Sequence, residues 1–158
     1  MNTQPDFTSV KTTINKCLSH WEKTLLELND IQITQNRNKQ HRNIKQILGH
    51  LIDSASNNHQ RMVRLQYSKE LVFPDYQQDN DLWIQLQQYE KADWFNLIQL
   101  WKYYNLHIIQ MIDAVDIKKL NNTWKNFEGE TTTLKQMIEG YPEHLLLHMN
   151  EIQELLEL

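Results

Sequence analysis

Apolar residues recur at helical spacing through four long stretches of this 158-residue chain. The first runs from about Phe7 to Ile31, where Val10, Ile14, Cys17, Leu18, Trp21, Leu25 and Leu28 make one stripe and Asp6 or Ser9 is placed to cap it. Thr34 to Arg42 is polar, basic and without period, which predicts a loop. A second helix is predicted from about Asn43 to Gln66. Asn43 and Gln46 have capping-box spacing, and Ile44, Ile47, Leu48, Leu51, Ile52, Ala55, Met62 and Val63 recur at i, i+3, i+4 and i+7.

A link from Tyr67 to Asp81 follows. Its Pro74 disfavours helix at Phe73, and a link that long in a compact chain suits a crossover or a functional loop. A third helix is predicted from about Asp81 to Asp113, along Leu82, Leu86, Tyr89, Leu97, Leu100, Tyr104, His107 and Met111. Ala114 to Thr131 has no period. The fourth helix starts near Thr132, with Thr133 and Gln136 at capping-box spacing, and runs close to Leu158. Pro142 lies inside it and removes a backbone donor, so a kink or restart is expected there. Four amphipathic helices of this length pack most simply as an all-α four-helix bundle, one domain spanning residues 1–158.

Composition narrows the chemistry. Three glycines, Gly49, Gly129 and Gly140, are too few and too scattered to build a phosphate-binding loop. With three prolines besides, they are also too few for an all-β sandwich. A lone cysteine, Cys17, excludes an intrachain disulfide framework and a multi-cysteine zinc site, and its place on an apolar stripe marks it as packed. Sixteen basic against twenty acidic residues leave a net charge of −4, with no electrostatic reason to expect nucleic acid. No stretch of about 18 apolar residues exists to span a membrane, and Met1 to Lys16 lacks the apolar core of a signal peptide. A cytoplasmic location is expected.

The seven histidines carry the remaining information. His20 and His59 stand alone on their helices, His41 lies in the basic loop, and His107 sits on an apolar stripe where packing is the simpler role. His144 and His148 differ: four residues apart on a helix, they project from one face, the spacing by which a helix offers two imidazoles to one metal. With Leu134 at zero and 100° per residue, they fall at roughly 280° and 320°, on the inner shoulder of the stripe. The spacing admits a metal pair and a structural pair alike. It is not the HExxH motif, since no Glu follows the first His. No histidine has a Glu three residues before it, which excludes a ferritin-like di-iron site. His50 shares a polar face with Ser54, Asn57 and Arg61, and by helical position alone an exposed histidine is the simpler reading.

Gly49-His50-Leu51-Ile52-Asp53, with Arg61 eleven residues after the histidine, resembles the second-helix motif of the DinB/YfiT-like superfamily of small helical proteins. The run from Tyr141 to Ile152, with His144, His148 and Glu151, is similar to its last-helix motif. Asp81-Leu82-Trp83 and the turn at Phe127 to Thr131 fit the segments between. The resemblance implies up-down-down-up topology, a long crossover between the second and third helices, and a homodimer. It implies one divalent metal, nickel or zinc, on His50, His144 and His148, with further positions open to water. It also implies transfer chemistry with a low-molecular-weight thiol (bacillithiol, mycothiol or glutathione) or hydrolysis, on a small-molecule substrate.

In such a site the reacting group is a water or thiolate held on the metal. Asp53 and Glu151, each one turn from a ligand, are candidates to brace it; both also suit a solvated surface. Arg61 suits an anionic substrate or a structural ion pair. Trp83, Trp94, Trp101 and Trp124 suit a pocket lining, with core packing the default expectation. The competing function is a non-catalytic bundle that binds a partner or dimerises, with metal incidental; an open coordination position beside a pocket separates the two.

Overall fold

The computed structural model describes residues 5–73 and 78–158, and Pro74 falls outside them. Six helices are described: α1 Thr8–Leu26, α2 Asp30–Thr34, α3 Ile44–Arg64, α4 Asn80–Gln87, α5 Trp94–Asp113 and α6 Leu134–Leu156. Three short strands, β1 Glu70–Leu71, β2 Thr123–Lys125 and β3 Thr131–Thr133, make a sheet in that order. β1 pairs parallel with β2, and β2 antiparallel with β3.

The long helices α1, α3, α5 and α6 form the bundle, and cross-helix contacts give their directions. Gln99 and Lys102 of α5 bond Glu22 of α1, while Lys11 meets Asp113, so these two helices run antiparallel. His59 packs on His107, and Gln66 reaches Met111, so α3 and α5 run parallel. His50 packs on His148 and Ser54 meets His144, so α3 and α6 are antiparallel. The order is therefore up-down-down-up. Two parallel helices consecutive in the bundle require a crossover, and the chain between Arg64 and Trp94 supplies it through β1, α4 and a 3-10 turn at Tyr89–Lys91. One apolar cluster fills the centre, with Ile14, Leu25, Leu48, Trp101, Ile108, Ile138 and Ile152 essentially inaccessible.

Helix starts follow local chemistry. Asn43 with Gln46 and Thr133 with Gln136 form complete capping boxes. α1 differs: its N-cap is Phe7, without a side-chain bond, and Asp6 accepts the Thr8 amide instead. α1 also stops at Leu26 rather than near Ile31, because Asn29 and Gln32 make another capping box that starts α2. The expected continuous helix from Asp81 to Asp113 is two. Gln88 turns left-handed at φ 51°, and Asp93 caps α5 by accepting the Asn96 amide.

The segment from Ala114 to Thr131 contains a hairpin. Asn126 accepts the Glu128 and Glu130 amides through its side chain, and Gly129 takes φ 88°. α6 runs from Leu134 to Leu156 through buried Pro142 without the expected restart. Packing of the helix on the core outweighs one missing hydrogen bond.

Gly140 tests the local accounting. A Cβ added there meets nothing within 4 Å. Gly140→Ala should therefore gain helix propensity without a clash and raise stability by about 0.5–1 kcal/mol, read as a higher urea midpoint at unchanged slope. A lower midpoint would contradict that accounting.

Candidate metal centre

Three imidazoles converge where α3 and α6 face each other. His50 comes from the second turn of α3, and His144 and His148 from adjacent turns of α6. Their donor nitrogens lie within 4.8 Å of one another. The His144 and His148 Nε2 atoms are 3.2 Å apart. Ring centroids lie 4.7 Å apart for His50 and His148, and 5.8 Å for His50 and His144. His50 and His148 are buried, and His144 is half-buried.

The outer nitrogens are held. His148 Nδ1 lies 2.9 Å from Glu151 Oε2, so the ring donates there. Asn38 donates to the same carboxylate oxygen at 3.3 Å. His144 Nδ1 meets Ser54 Oγ at 3.3 Å. The protonation state also suits ligation. Burial, and then the nearby His148, holds the His50 imidazolium down to about 3, and the same two causes hold His144 down to about 4. Both rings are neutral at pH 7, the form that binds a metal without proton competition.

The arrangement fits a divalent ion on its own evidence. His50 Nδ1 is buried with no hydrogen-bond partner. An unmatched buried group of this kind costs about 1–3 kcal/mol. Three imidazole donors suit nickel and zinc, and three protein ligands leave room for an exogenous one.

Two cavities meet at His144. A polar one of about 200 Å³ lies against His50, Ser54, Asn57 and Arg61, with Gln78 and Asn80 across it. A less polar one of about 360 Å³ lies on the other side, walled by Trp124, Met137 and Tyr141. The crossover thus borders one cavity and the β2–β3 hairpin the other.

The other expected site residues divide. Glu151 holds the His148 ring at Nδ1. Asp53 does not, and it is not a solvated carboxylate either: it is 4% exposed and accepts from Tyr89 Oη at 2.6 Å and Gln87 Nε2 at 2.7 Å. Arg61 lines both cavities, with its guanidinium 4.0 Å over the Trp124 ring. Trp101 is in the core as expected and Trp94 is half-buried, bonding the Leu25 carbonyl. Trp83 is over a third exposed, and Trp124 faces a cavity. Cys17 is packed, and burial pushes its thiol up to about 12. His59 does not stand alone: it bonds Tyr104 Oη at 3.1 Å and packs against His107 from α5, a contact that no single-helix pattern reveals. Ser54 is the site residue that sequence reasoning left without a role; it lies one turn from His50 on the same face.

No protein-family model matches the sequence, and no curated protein matches it significantly. Among solved structures, YfiT from Bacillus subtilis superposes with a TM-score of 0.79 at 16% identity, over 98% of this chain and 89% of that one. The fold is that of YfiT. YfiT is a probable metal-dependent hydrolase with an unusual four-helix bundle topology. The resemblance carried by the His50 and His144 segments agrees with this fold. At 16% identity the likeness to YfiT speaks to architecture. The chemistry is argued from this chain's own residues. No helix among those described is long and apolar enough to cross a membrane.

Proposed function

We propose that this protein is a metal-dependent hydrolase of a small molecule, with one divalent ion, zinc or nickel, held by His50, His144 and His148. The observation that carries the reading is the convergence of three imidazole donors within 4.8 Å at the junction of two cavities. A closed structural site would have four protein ligands and no cavity beside it. That YfiT is a probable metal-dependent hydrolase is in keeping with it. When bound at three imidazoles, a divalent ion acidifies an attached water toward a pKa of about 7 and holds an attached thiol as thiolate. Glu151 fixes the orientation of the His148 ring, Ser54 sets the His144 ring, and burial keeps the His50 and His144 imidazoles unprotonated.

Transfer to a low-molecular-weight thiol is the second reading. It is favoured by the two cavities sharing His144, which leave room for a second reactant beside the substrate.

Metal content per chain, measured by mass spectrometry on tag-free protein, tests the proposal. Wild type should carry about one zinc or nickel ion, and His50→Ala, His144→Ala and His148→Ala each less than roughly a tenth of that, with helical circular dichroism retained. Wild type that stays metal-free after incubation with both ions would sink the enzyme reading and leave a binding or dimerisation module.

A further inference from the structure

We propose a second metal site, remote from the first: His59 of α3 and His107 of α5 hold one divalent transition-metal ion between the two helices, and Tyr104 orients the His59 ring. This inference does not rest on the metal-dependent reading above and adds a binding site to the protein.

Separation comes first. At about 100° per residue, the step from His50 to His59 carries the chain roughly 180° round α3. His50 accordingly packs against α6, and His59 against α5. Neither His59 nor His107 is among the residues that line the two cavities at His144. The pair is therefore a cluster of its own, on the other side of the helix that carries the first.

Geometry comes second. The His59 and His107 rings meet edge to face, with centroids 5.0 Å apart and planes at 77°. In the first centre the three centroid separations are 4.6, 4.7 and 5.8 Å. A metal–nitrogen bond of about 2.1 Å, with about 1.1 Å more to the ring centre, puts two imidazoles at neighbouring positions of one ion roughly 4.5–5.2 Å apart. The pair already has that separation, so an ion enters by rotation of the rings and without a shift of either helix.

The third point is chemistry. His59 Nδ1 lies 3.1 Å from Tyr104 Oη. With its proton on Nδ1, that ring donates to the phenol and presents Nε2 to an ion, the orienting contact that ligand histidines generally have. Burial, and then the neighbouring His107, holds the His59 imidazolium below its ordinary value, which favours the neutral form that binds metal. His59 is half-buried and His107 is exposed, so an ion reaches the pair from solvent without opening the bundle. Two imidazoles, with water completing the shell, select a nitrogen-preferring divalent ion. With two protein ligands instead of three, the pair ranks below the first centre for zinc and nickel. Copper(II), the tightest binder of that series, is its probe.

The test dialyses full-length protein against copper(II) buffered with glycine and counts copper per chain by mass spectrometry. His107→Gln, at an exposed position that the fold does not need, should hold about one ion fewer than wild type. His59→Gln should show the same deficit, and the double variant no larger one, because a chelated ion is lost with either ligand. The deficit should persist on a His50→Leu background, which separates this site from the first. Tyr104→Phe should keep the ion at saturation but weaken its binding by roughly tenfold or more. Copper should also raise the urea midpoint of wild type more than that of His107→Gln, since an ion that bridges α3 and α5 binds only the folded chain. No deficit in His107→Gln would overturn the proposal. So would a double variant that loses more copper than either single one, which would mean two separate imidazoles. A deficit without the difference in urea midpoint would overturn it as well, since the ion would then not join the helices.

Discussion

In chelator, His50→Leu should be more stable than wild type by about 1–2 kcal/mol, and it should fail to take up zinc or nickel. The reason is the environment of the wild-type ring. His50 is 7% exposed, its Nδ1 is buried without a partner, and two further imidazoles crowd it. Leucine has a similar volume and no polar atom to leave unmatched, so the cost of an unsatisfied group disappears while packing is kept. Metal reverses the order: at about a hundred times its dissociation constant, an ion stabilises wild type by about 2.7 kcal/mol and the variant not at all.

Acid should separate the two proteins in the same way. The folded-state values of about 3 for His50 and about 4 for His144 lie below the ordinary histidine value. An unfolded chain therefore takes up protons below about pH 6.5 that the folded chain refuses. Metal-free wild type should lose stability as pH falls through this window, by up to about 1.4 kcal/mol per pH unit for each imidazole. The His144 contribution ends near pH 4, and that of His50 near pH 3. His50→Leu removes one of the two and should give a shallower slope. Urea denaturation from pH 7 to pH 4, with chelator and with zinc, reads all of this. A variant less stable than wild type in chelator would show that His50 is held by packing rather than strained by burial.

The residues that made the fold legible are those whose signal is local. The pairs Asn43–Gln46 and Thr133–Gln136 fix the starts of α3 and α6 in four residues each, and both boxes form. The break between α4 and α5 is masked because Tyr89 and Leu97 stay roughly in phase across it, while the cap that causes it, Asp93, looks like any polar residue on a helix face. The sheet escapes for another reason. Its strands are two or three residues long, too short to show alternation, and β1 finds β2 only through the tertiary fold.

The site divides along the same line. His144 and His148 are visible as a pair because one helix carries both. His50 is not visible from its own helix: Ser54, Asn57 and Arg61 make its face look solvated, and it is α6 that buries it. The resemblance supplied the third histidine, and the geometry then brought it to the other two. Asp53 misleads for the matching reason. Its partners, Gln87 and Tyr89, belong to the α4–α5 break, so a reading that joins those helices leaves the carboxylate with nothing to hold.

Gly49→Ala should destabilise the protein by about 3 kcal/mol, against the usual sign for glycine in a helix. Helix propensity alone favours alanine by about 1 kcal/mol, as expected at Gly140. At Gly49 the new Cβ would overlap Tyr89 Cγ and Cδ2, with Cε2 at 2.7 Å. The ring cannot swing aside cheaply. It is 7% exposed, and its hydroxyl is tied to Asp53 at 2.6 Å. Overpacking of this kind costs about 1–3 kcal/mol. Displacing Tyr89 also strips a donor from a carboxylate that burial already pushes above its ordinary pKa and whose Oδ2 has no partner, for about 1–3 kcal/mol more. A double-mutant cycle isolates the cause. With Tyr89→Ala the obstacle is gone, so Gly49→Ala on that background should be neutral or slightly stabilising, giving a coupling of about 3 kcal/mol. Additive effects would mean that the alanine clashes elsewhere and that Gly49 does not exist to admit Tyr89. Gly49 precedes His50 directly, so the close approach it allows pins the 3-10 turn onto the stretch of α3 that carries both Asp53 and His50. The same two variants measured for metal content should differ: Tyr89→Ala, which leaves α3 in place, should keep its ion.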